Sequence, residues 1–251
     1  MEGKWDNAFE RKVVYFASDT SLYNLQHGNN GRQLLRNPEL IVVGLSDSGK
    51  FLNAFNIADN VVPTDASMFV LSPFSDKIYI AAESARIQVA YSKITKIMHI
   101  AQLLGASLVE IENSRILDKT SGSDLKISGS SPVLSGDLQI KSNDLKSLWS
   151  KFRLKTNFAG GTANYKQAEK VARESNLAGD SFISTLLEMR HNISASNPLK
   201  SVTQEVSLTE SVQTNLDIAA QASYLVGNAN VTYQRALTEK VEFYSTIRIE
   251  F

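Results

Sequence analysis

The first part of the chain alternates short apolar runs with polar turns, a pattern of strands rather than long helices. Val13–Phe16, Leu40–Val43, Met68–Leu71 and Lys77–Ile80 are the runs, and Pro73 between the last two marks a turn or a sheet edge. Asp19-Thr20 is placed to cap a helical turn over Leu22–Leu25. The period then changes. From Glu83 to Leu104 the residues Ile87, Ala90, Tyr91, Ile94, Ile97, Met98, Ala101 and Leu104 recur at three- and four-residue steps, which predicts a long amphipathic helix stopped by Gly105. Leu108–Ile111 follows as a strand. A second helical region covers Thr162 to His191, broken at Gly179 and restarted by Asp180-Ser181 as a new cap.

From Val202 onward the alternation has a period of two. Val206, Leu208, Val212, Leu216, Ile218 and Val226 hold even positions; Val231, Tyr233, Leu237, Val241, Phe243, Ile247 and Ile249 hold odd ones. Gly227-Asn228, where the parity changes, is a two-residue turn sequence of the primed type. A turn there sets Val206 opposite Ile249, Val212 opposite Phe243 and Ile218 opposite Leu237, which sorts the segment into a dry and a wet face. The fold expected is therefore α+β, mainly antiparallel sheet, with a long bent C-terminal β-hairpin and helices packed on it. The same alternation suits membrane strands, which need only ~9–11 residues each.

Composition narrows the classes. The chain has 251 residues, 43% of them hydrophobic and 21% charged, enough to bury an ordinary core. One α+β domain over 1–251 is expected, with a candidate boundary in the Ser/Gly-rich 120–136 segment. Lys plus Arg and Asp plus Glu are 26 each, so no global charge draws the chain to nucleic acid. Cysteine is absent, which removes disulfides, thiolate metal sites and cysteine nucleophiles. No leader pattern opens the chain, and no window reaches the ~18 apolar residues of a spanning helix, so residence in the cytoplasm is expected, with membrane association only after a trigger.

Chemistry is sparse. Gly44-Leu45-Ser46-Asp47-Ser48-Gly49-Lys50 follows an apolar run and resembles the phosphate loop of P-loop nucleotidases, which implies backbone amides and Lys50 around phosphate. Position 51 is Phe where that motif needs a hydroxyl for Mg²⁺, so a turn between antiparallel strands Leu40–Leu45 and Phe51–Asn56 is expected instead. His27, His99 and His191 are far apart, none at metal-ligand spacing, and no G-x-S-x-G elbow exists. Asp65, Asp76 and Asp137 lie in turn contexts. Lys151, Arg153 and Lys155 share one face of a strand-like run and are the candidate contact for anionic lipid. Neither a catalytic set, a metal site nor a cofactor is nominated. The leading reading is a non-enzymatic interaction protein whose elongated amphipathic sheet engages a protein partner or self-associates. The alternatives are a membrane-active β-hairpin pore former and a nucleotide-binding enzyme using Gly44, Gly49 and Lys50.

Overall fold

The computed structural model describes residues 11–119, 124–127, 155–191, 199–226, 237 and 240–251. The fold is α+β with two sheets, mostly antiparallel. The chain divides into two compact units, one of residues 1–88 and 211–239, the other of 89–210 and 240–251.

In the first unit, β1 (Val13–Ala17) leads through α1 (Asp19–His27) and α2 (Asn29–Leu35) to β2 (Leu40–Gly44), which lies parallel to it. A 3₁₀ turn over Leu45–Asp47 precedes α3 (Ser48–Ala54) and the short β3 (Asn56–Ile57). Then come β4 (Met68–Leu71) and β5 (Ile78–Ala81), giving the order β2-β1-β4-β5-β3. β4 is antiparallel to both neighbours, and β3 is parallel to β5. One face is an aromatic core. Phe16 meets Phe51 and Phe69 edge-on at 5.5 and 5.6 Å, and Phe51 stacks on Phe55 at 5.0 Å. Each such buried ring is worth roughly 1.5–3 kcal/mol in transfer alone. Gly31 lets α2 come against α1, because a Cβ there would stand 2.1 Å from the Leu25 carbonyl oxygen.

Helix α4 (Ala85–Leu103) occupies the span its period predicts, and the second unit takes it up from Val89. Ile94, Ile97, Ala101 and Leu104 are fully buried, as the stripe requires, but Tyr91, expected on it, is exposed and Met98 is half-buried. Gly105 adopts φ +86°, the left-handed stop expected of it. β6 (Leu108–Asp118), β7 (Asp124–Ile127) and β8 (Lys155–Asn157) follow, then α5 (Tyr165–Glu174) and α6 (Ser181–His191). Asp180 caps α6, its Oδ1 accepting from the amides of Phe182 and Ile183 at 3.1 and 3.2 Å. β9 (Ser201–Ser207) and β10 (Val241–Glu250) complete the sheet in the order β7-β6-β10-β9, with β8 also paired to β6.

The long C-terminal ribbon is corrected. β9 and β10 do pair antiparallel, but residues Glu210–Val226, expected to extend the first arm, form helix α7. Val212 therefore has no ladder with Phe243, and Val206 lies opposite Ser245 rather than Ile249. The slip is by an even number of positions, so each residue keeps its expected face. The physical reason is that Val212, Leu216, Ala219 and Ser223, all buried, also repeat at helical spacing. Asn215 on the same side donates to the Leu71 carbonyl at 2.9 Å. Gly227-Asn228, the expected turn, lies outside the described residues, as does most of the 120–136 segment.

Candidate functional site

Among the described residues, the second sheet ends on a strand whose side chains are largely exposed. β9 ends the strand order among the described residues, and Ser201, Thr203, Gln204 and Glu205 on it are exposed. Its pairing with β10 fixes which backbone groups face outward. The Leu208 amide donates to the Phe243 carbonyl at 2.8 Å, and the Phe251 amide to the Lys200 carbonyl at 2.9 Å. The register between these points is unbroken. Antiparallel alternation then turns the N–H and C=O of Val202, Gln204 and Val206 toward β10, and those of Ser201, Thr203, Glu205 and Ser207 away from it.

Both ends of that outer edge are closed by cations. The Lys93 ammonium, buried with its residue 6% exposed, donates to the Ser207 carbonyl at 2.7 Å and pairs with Asp180 at 2.5 Å. The Arg190 guanidinium donates to the Leu199 carbonyl at 3.4 Å and to the Leu104 carbonyl at 2.8 Å, with its carbon 4.1 Å above the Phe251 ring. Among the described residues, no strand pairs with the outer side of the stretch between them, from Ser201 to Glu205.

Side chains on the outer face of the sheet tie this strand to its neighbours. Arg115 grips Glu205 through two bonds of 2.7 Å and lies 4.5 Å over the Tyr244 ring. The Tyr244 hydroxyl and the Ser207 hydroxyl both donate to Glu242 at 2.7 Å, and Lys119 pairs with the same carboxylate at 2.5 Å. Burial of Glu242 opposes its ionisation, but the bonds from Lys119, Ser207 and Tyr244 outweigh it and hold the carboxyl below the usual carboxylate range. Tyr244 is pushed up to about 12 by burial and by its bond to Glu242. A network so fully satisfied positions backbone; it has no group left poised for proton transfer.

The residues singled out by sequence fall elsewhere. Gly44–Lys50 is a strand, a 3₁₀ turn and a helix, not the expected turn between antiparallel strands. That is the local order a phosphate loop needs, but the loop conformation differs. Gly44 has φ −64°, Gly49 is helical with open space where a Cβ would go, and the Lys50 ammonium lies 2.7 Å from Asp47. No left-handed residue curls the amides into an anion nest. Phe51 stands where the hydroxyl would be because it anchors α3 in the aromatic core, at 0% exposure. Lys151 and Arg153 lie outside the described residues, and Lys155, on β8, pairs with Glu110 at 3.4 Å. His99 is exposed on α4, His27 stacks on Tyr23, and His191 packs near Tyr165.

One cluster escaped the sequence. Asp65 accepts from the Ser18 amide at 2.7 Å and from the Ser18 and Ser21 hydroxyls at 3.0 Å. Its pKa is lowered, chiefly by the Ser18 amide. The carboxylate thus serves the start of α1, where the helix dipole favours an anion, and its lowered pKa makes it a weak base toward the two hydroxyls. Only the chain's return past β1 brings Asp65 there, so no local signal could have shown it. Among the described residues no group of carboxylates and histidines is arranged to hold a metal, and no helix is long and apolar enough to cross a membrane. No protein-family model, curated protein or solved structure matches the chain.

Proposed function

We propose that the chain is a non-enzymatic interaction protein that receives a partner as an added strand on β9. The observation that carries this is the exposed sheet edge at Ser201–Glu205, framed by two ends whose carbonyls are already taken by Lys93 and Arg190. Strand addition supplies affinity through main-chain bonds and needs no pocket. It keeps the sense of the sequence reading, an amphipathic sheet that engages a protein, while moving the contact from a long ribbon to a short edge. The pore-forming alternative drew on the ribbon, and α7 takes up most of its first arm. The phosphate-loop alternative has the right order of elements and the wrong loop.

The test is site-specific photo-crosslinking in cells that make the protein. A photoreactive residue replaces Gln204, with and without Thr203→Pro. Proline at 203 removes an amide that points away from β10 and leaves the β10 ladder in place. The reading expects an adduct at 204 that Thr203→Pro abolishes in a protein still folded by circular dichroism. An adduct unaffected by the proline, or none, overturns it.

A further inference from the structure

The sequence of β9 reads nearly the same in both directions: Ser201-Val202-Thr203-Gln204-Glu205-Val206-Ser207. Antiparallel pairing of this strand with itself about Gln204 would set Ser201 against Ser207, Val202 against Val206 and Thr203 against Glu205. We propose that the partner of β9 is β9 of a second copy of this chain, joined about a two-fold axis through Gln204 into one continuous sheet. The proposal rests on the strand-addition reading above and names its occupant.

Three observations select this register. First, the outward amides and carbonyls belong to the odd residues, so Thr203 and Glu205 of the two copies exchange four main-chain bonds, two on each side of the axis. Second, the face pattern is kept across the junction. Val202 and Val206 lie on the inner face with Ile247 and Ile249, while Thr203 and Glu205 lie on the outer face. A shift by one position would place apolar residues on the wet face. Third, charge rejects the nearest competitor. Pairing about Glu205 would oppose two like carboxylates, which is unfavourable across strands, and pairing about Thr203 would oppose each Val202 to a Gln204. Closed two-fold symmetry also removes the exposed edge that would otherwise invite open-ended aggregation. Lys93 and Arg190, which bind the carbonyls of Ser207 and Leu199, end the open stretch at both sides and confine pairing to the palindrome.

The chain lacks cysteine, so a single introduced one reports on its own copy. In the proposed pairing the two Gln204 residues form a non-hydrogen-bonded pair with Cα atoms about 4.5 Å apart, inside the disulfide range of roughly 4.4–6.8 Å. The two Thr203 residues are offset to roughly 8–9 Å, outside it. Mild oxidation of purified full chain should therefore link Gln204→Cys more than about tenfold faster than Thr203→Cys or the surface control Gln167→Cys. Register is read by charge in the Gln204→Cys background. Thr203→Glu faces Glu205 of the other copy and should slow linking several-fold, whereas Thr203→Lys should speed it. Thr203 is exposed, so both variants are expected to fold. Equal linking rates at 203, 204 and 167, or charge effects of the same sign, overturn the proposal. An adduct in cells with a different chain, lost on Thr203→Pro, would then leave strand addition standing and the self-pairing refuted. Failure of both experiments removes both.

Discussion

Deleting the Asp180 carboxylate separates a structural ion pair from an ornamental one. Its Oδ2 holds the Lys93 ammonium at 2.5 Å, and its Oδ1 accepts from two amides at the start of α6. The two side chains are only 8% and 16% exposed. Asp180→Ala leaves a buried ammonium with the Ser207 carbonyl as its remaining bond, and removes a helix cap. Breaking a buried pair from one side costs about 3–5 kcal/mol, and a lost cap about 1 kcal/mol. The partial exposure of Asp180 discounts the first figure, so a total of about 3–5 kcal/mol is expected. Lys93→Met keeps most of the stem volume and leaves the carboxylate with both amides, so about 1–2 kcal/mol is expected. The decisive variant is the double one. With the ammonium gone nothing is left stranded, and Lys93→Met/Asp180→Ala should be more stable than Asp180→Ala alone. Urea unfolding followed by circular dichroism measures all four proteins. If the double variant loses the sum of the two single losses, the pair is not coupled and the reasoning fails.

Two glycines of the chain should respond in opposite senses. Gly105→Ala forces a Cβ at φ +86° and to within 2.3 Å of the Gly161 carbonyl oxygen, so a loss above about 1 kcal/mol is expected. Gly49→Ala, helical and facing open space, should gain up to about 1 kcal/mol; a matching thermal-melt pair would show whether both signs hold. Glu242 gives a pH signature: its folded pKa lies below the unfolded value, so its stabilisation is complete above the ordinary carboxylate range and is lost as pH falls through the folded pKa. Glu242→Gln should flatten that part of the stability–pH curve, and an unchanged acid limb would count against the network.

Local pattern by itself settled the elements whose period is unambiguous. The stripe from Ile87 to Leu104 could only be a helix, the left-handed stop at Gly105 needed only glycine, and the Asp180 cap was legible because capping is a contact between near neighbours. The short apolar runs at Val13, Leu40, Met68 and Ile78 became strands for the same reason. Tertiary structure decided the rest. Residues 210–226 satisfy a period of two and a period of 3.6 together, since Val212, Leu216, Ala219 and Ser223 fit the helix while Val212, Leu216, Ile218 and Ala222 fit the strand. Ala, Gln, Glu and Leu in that stretch favour the helix, but a buried surface had to choose. Gly44–Lys50 likewise took its form from Phe51, whose place in the aromatic core holds α3, the helix that carries it, against the sheet. The exposed edge was invisible along the chain: that β9 is last in its sheet among the described residues, and that Lys93 and Arg190 close its two ends, depends on groups brought together from distant positions. Sequence sets what each segment prefers; which strand is left at the edge is settled only when all the others have found their neighbours.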